Sequence, residues 1–141
     1  MRTLRKPTKQ EILKSLQETF GASKKAARFF SADPYTDSLD GYEVQIEKRD
    51  AVENGFQWLV SLCYWKNNIY TDIKSEKMTQ AARNLAIAMK SDVAVWDASR
   101  YPDEVEPYVR FNEKGDKEYG WLDTDNGEWH SNLEPESEER N

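Results

Sequence analysis

The sequence predicts an α+β domain: a mostly antiparallel sheet of roughly four to six strands with helices packed on one face. Three observations carry that prediction. Residues 42–49 alternate apolar with polar, residues 56–65 (FQWLVSLCYW) are an aromatic and β-branched run, and Asn54-Gly55 lies between them as a turn signal. The two runs therefore read as an antiparallel hairpin. Residues 75–90 then carry Met78, Ala81, Ala82, Leu85, Ala86 and Met89 as one helical stripe, which suits a crossover helix packed on the hairpin. With 141 residues the chain is long enough for one domain that buries about two-thirds of its unfolded surface.

Taken in order, residues 1–7 read as a frayed basic arm of a single domain that spans 1–130. Thr8-Lys9-Gln10-Glu11 matches a capping box, so a helix starts there, with Ile12, Leu13, Leu16 and Phe20 on one side and Gly21 as its left-handed cap. Ser23 is expected to cap a second short helix, SKKAARFF, and residues 31–41 are dense in Asp, Ser, Pro and Gly and read as a loop. The run at 56–65 is apolar on both of its alternating faces, which predicts a central strand covered on both sides. Residues 66–74 form a polar connection, and Ser75 is the expected cap of the crossover helix. A third strand follows at 92–98, then a proline-bounded acidic loop at 99–107. Residues 108–112 and 117–123 make a second hairpin, Asn126-Gly127 turns the chain again before 128–130, and 131–141 has the composition of an acidic, disordered tail. Tyr119 and Trp121 are expected to face inward.

Composition narrows the class of function. Net charge is -6 but is graded: residues 1–28 hold eight Lys or Arg against two Glu, while residues 101–141 hold four against thirteen Asp or Glu. The acidic end suits a basic protein partner. No apolar run follows the basic start and no window approaches the roughly 20 residues of a membrane span, which places the chain in the cytoplasm by expectation. Cys63 is the single cysteine, read as a small buried hydrophobe.

Catalytic patterns are sparse. The single histidine, His130, has no nucleophile elbow near it, and there is no zinc cluster, P-loop or dinucleotide fingerprint, so no cofactor and no metal is expected. Asp123 to Gly127 misses the calcium-loop register by one residue in either alignment and reads as a hairpin turn. Two rival classes remain. A metal-dependent nuclease would use Asp72 and Lys74 with Asp37, Asp50 or Glu53. A nucleic-acid adaptor would use Arg2, Arg5, Lys6, Lys9, Lys24, Lys25 and Arg28. The remaining feature is acidic and aromatic: Asp97, Arg100, Asp103, Glu104 and Glu106, with Asp116 and Glu118, are the expected partner-facing residues, because loops on a rigid scaffold present binding groups.

In size, acidity, α+β plan and lack of catalytic apparatus the chain resembles the small cytoplasmic immunity proteins that bacteria make against their own toxins. That resemblance implies a non-enzymatic inhibitor that binds a basic toxin domain.

Overall fold

The structure, a computed structural model, describes residues 1–23, 27–30 and 41–132, without the side chains of Arg28 and Phe30. Its elements run β1 (Arg2–Thr3), α1 (Lys9–Phe20), β2 (Ala27–Phe30), β3 (Gly41–Lys48), β4 (Trp58–Lys66), β5 (Ile69–Thr71), α2 (Ser75–Met89), β6 (Val93–Trp96), β7 (Pro107–Phe111), β8 (Lys117–Asp123) and β9 (Glu128–Ser131). All nine strands join one sheet in the order β2-β3-β4-β1-β6-β7-β8-β9, with β5 on the far end of β4. Among the described residues only the β2–β3 pairing is parallel. The α+β class and the mostly antiparallel sheet are as the sequence predicts, but among the described residues the sheet has nine strands instead of four to six. The extra ones are short pieces of two to four residues, below the length at which alternation can be read.

The first hairpin forms in register, with Val44 opposite Leu62 and Ile46 opposite Val60. These residues share one face of the sheet with Val93, Val95, Val109 and Phe111, and both helices close over it through Ile12, Leu16, Ala82, Leu85, Ala86 and Met89. The Thr8 capping box is present in full: Thr8 Oγ1 accepts from the Glu11 amide, and Glu11 Oε1 accepts from the Thr8 amide. Gly21 closes α1 at φ 70°, a conformation that costs glycine nothing. For α2 the cap is one residue earlier than expected. Lys74 holds that position without a side-chain bond, and Ser75 is already helical, its carbonyl accepting from Thr79 Oγ1.

Three segments differ from expectation in their tertiary role. Residues 1–7 are not a frayed arm: β1 lies between β4 and β6, with Thr3 fully buried and Arg2 5% exposed. Because α2 intervenes between β4 and β6, each would otherwise present an unpaired edge, and two residues of β1 satisfy both. The Met1 amine donates to the Val60 carbonyl at 2.9 Å, and burial, then the neighbouring Arg2, lowers it to about 5. The expected helix at 23–30 is instead a strand at its described end, β2, because the free edge of β3 offers Ala27 to Phe30 a ladder. Residues 24–26, the expected loop at 31–40 and the acidic tail from 133 onward lie outside the described residues, while Ser131 closes β9.

The opposite face of the sheet carries a second, smaller core of Phe56, Ala94 and Leu122, bordered by Leu4, Tyr108 and Trp129. The β3–β4 connection folds over it and bonds to the β8–β9 turn, Val52 N to Asn126 O and Phe56 N to Gly127 O, both at 2.8 Å. The Arg2 guanidinium reaches across to the Phe56 carbonyl. Central β4 is thus buried at Val60 and Leu62 but only half-buried at Leu59, Ser61, Cys63 and Trp65. Two-sided cover stops at the second core.

On that same face Glu43 is 6% exposed, and its Oε2 has no partner among the described residues. Burial raises its carboxyl above the ordinary range. The folded chain therefore holds this proton to higher pH than the unfolded chain, so the stability the group contributes is present below an ordinary Glu pKa of about 4.3 and is lost as pH rises through the raised value. Glu43→Gln should remove that loss. Denaturant unfolding at successive pH values above 4 checks it: the variant gains on the parent as pH rises, and a constant difference between the two would contradict the linkage.

Candidate protein-docking surface

The acidic loop between β6 and β7 is built around Arg100. Its Nε donates to Asp97 Oδ2 and its Nη1 to Glu104 Oε2, both at 2.7 Å, while Nη2 donates to the carbonyls of Tyr108 and Gly120. The guanidinium also lies 5.1 Å from the centre of the Tyr119 ring. Asp97 Oδ1 accepts from the Ser99 amide and hydroxyl. Burial pushes the Asp97 carboxyl up, but the bonds from Ser99 and Arg100 outweigh it and hold the group below its ordinary value. One guanidinium thereby ties the loop to β7 and β8 together.

That geometry divides the seven residues expected to face a partner. Asp97 and Arg100 are internal, consumed by each other and by the backbone. Glu106 is half-buried, with φ 46°, and accepts from Thr124 Oγ1. Glu118 points to the second-core face, where it accepts from Trp129 Nε1 at 2.9 Å. Asp103, Glu104 and Asp116 remain exposed. Asp116 sits at the β7–β8 turn, where Asn112 Oδ1 accepts from its amide.

An aromatic strip, expected from the sequence to face inward, lies open beside those carboxylates. Tyr119 pairs with Val109 and Trp121 with Pro107, which puts both on the helix-bearing face, yet they are 44% and 38% exposed. The reason is coverage: α2 lies over β6 and β7, and the helix layer ends before β8 and β9. His130, opposite Trp121 on β9, stacks on its ring at 3.9 Å with the planes 8° apart. His130 Nε2 is 3.2 Å from Glu128 Oε1. Val105, 83% exposed, lies in the loop segment that meets this part of β8, where the Leu122 amide donates to the Glu106 carbonyl. Toward α2 the strip opens into a cleft of about 720 Å³ bordered by Glu76, Gln80, Arg83, Asp116 and Tyr119. Alternation in β8 assigns Tyr119 and Trp121 to one face and Leu122 to the other, but it does not record that only the face of Leu122 is covered.

The rival residue sets are not brought together. Asp72 follows β5 at one end of β4, whereas Asp50 and Glu53 lie in the β3–β4 connection at the other; Asp37 is outside the described residues. Among the described residues no three His, Cys, Asp or Glu side chains are placed to hold a metal ion. Of the basic set, Arg2 is buried against Phe56, Arg5 bonds Glu11 and the Met89 carbonyl, and Lys6 and Lys9 lie over aromatic rings, while Lys24, Lys25 and the Arg28 side chain are not described. Cys63 is half-buried, and burial, then Glu43, pushes its thiol up, away from the reactive thiolate. Among the described residues no helix is long and apolar enough to cross a membrane. No protein-family model, curated protein or solved structure matches the chain.

Proposed function

We propose that this chain is a non-enzymatic inhibitor of the immunity type, which binds a basic toxin domain through the uncovered flank of β8 and β9. The observation that carries the reading is the strip of Tyr119, Trp121 and His130, left open where the helix layer ends, with Asp116 and Glu128 beside it and the exposed carboxylates of Asp103 and Glu104 in the β6–β7 loop. Flat aromatic rings supply contact area that loses water on docking, and carboxylates at the rim steer a cationic partner and orient it. The Arg100 clamp adds preorganisation, because a loop already fixed loses less freedom on binding. Monomer surfaces seldom leave aromatic residues grouped in this way without a partner.

The test pairs the purified chain with the toxin domain encoded immediately upstream of its gene. A stable complex that suppresses the toxin's activity is expected. Trp121→Ala should raise Kd by more than tenfold, as for a central aromatic anchor, and mainly through faster dissociation. Replacing Asp103, Glu104 and Asp116 together by Asn or Gln should slow association and flatten its dependence on salt, with folding intact. Absence of a complex with any neighbouring basic product, or a complex indifferent to Trp121→Ala, would remove the proposal.

A further inference from the structure

A separate pocket of about 420 Å³ lies at the other end of the sheet, between the segment that leads into α1 and strands β2 and β3. Its floor is apolar: Pro7, Phe29, Val44 and Ile46, with Val44 fully buried. Lys6 and Lys9 also line it, and both ammonium groups lie over rings, Lys6 at 5.6 Å from Trp58 and Lys9 at 5.5 Å from Phe29. Lys48, opposite Trp58 in the ladder, stands 6.0 Å from the same Trp58 ring. Among the described residues none of these three ammonium groups has a carboxylate partner, whereas nearby Arg5 is neutralised by Glu11. In a chain of net charge -6 these lysines form, among the described residues, a cluster of positive charge around an apolar hollow.

We infer that this pocket binds a small amphiphilic anion, an acyl or aryl carboxylate whose apolar body rests on Phe29, Val44 and Ile46 while its head group meets Lys6 and Lys9. Size and lining agree with a small-molecule site, which is typically of several hundred Å³, mostly apolar, with a few polar groups that set orientation. The head group has to be anionic. The Thr8 and Glu11 side chains already occupy amides of the α1 N-terminus, so the two exposed lysines supply the recognition, as point charges at the rim of an apolar floor. The site uses no residue of the β8–β9 flank and stands or falls independently of the inhibitor reading.

Decanoate is the probe, titrated into the full chain by calorimetry at concentrations below its micelle threshold. One-to-one binding is expected, at least tenfold tighter than that of decanol, which has the same body without the charge. Lys6→Gln combined with Lys9→Gln should weaken decanoate at least tenfold and leave decanol unchanged; both positions are exposed, so the fold should survive. Ile46→Phe, which fills the hollow, should abolish both. No binding of decanoate overturns the assignment, as does equal affinity for decanol or indifference to the lysine pair. Binding only to anionic lipid vesicles, and not to free decanoate, would make this a membrane-surface patch and also overturn it.

Discussion

Arg100→Ala is expected to destabilise the chain by about 3–5 kcal/mol, the range for removing one partner of a buried ion pair. The Asp97 side chain is only 9% exposed and keeps its ionised form because Arg100 and Ser99 donate to it. Without the guanidinium, Ser99 is the remaining side-chain donor to a largely buried carboxylate, and the carbonyls of Tyr108 and Gly120 lose a donor as well. Urea unfolding measures the loss. A pH series separates its cause from loss of packing. In the parent, the depressed Asp97 pKa contributes stability above an ordinary Asp value of about 3.9 that is lost as pH falls through the folded value. In the variant the carboxyl titrates higher, so acid should relieve part of the defect, and adding Asp97→Asn should restore part of the stability. An Arg100→Ala loss below 1 kcal/mol would show that the clamp is not what holds the loop.

Leu85→Ala is expected to cost about 2–5 kcal/mol, the range for truncating a buried leucine where neighbours collapse only in part. Leu85 is 1% exposed, and it sits in α2 between the other helix and the sheet, in the same core as Leu16, Val93 and Phe111. Helix propensity does not enter the difference much, because alanine is the better helix former. The cost is therefore a reading of packing alone. Thermal and urea unfolding should agree on it, and a loss under 1 kcal/mol would mean that α2 does not close the main core.

The long periodic segments were legible from the residues themselves. The alternation of Tyr42, Val44 and Ile46, the apolar run of β4 and the stripe from Met78 to Met89 each bury a face whose period matches one backbone geometry, so sequence alone specifies element and orientation. The Thr8 capping box and the Gly21 cap were equally local, because each bond joins groups within four residues. What sequence could not decide were roles set by neighbours distant in the chain. Two residues carry no period, so only the gap between β4 and β6 makes Arg2 and Thr3 a central strand. Ala27 to Phe30 is short and helix-compatible, and the open edge of β3 decides that it extends. The acidic loop was found, but which of its charges face water was not. Asp97 and Arg100 neutralise each other inside the fold, and Glu118 turns to Trp129, because side-chain pairing depends on register across strands. Tyr119 and Trp121 read as inward faces of their strand, and they are open because the helix layer, whose extent no local pattern records, stops at β7.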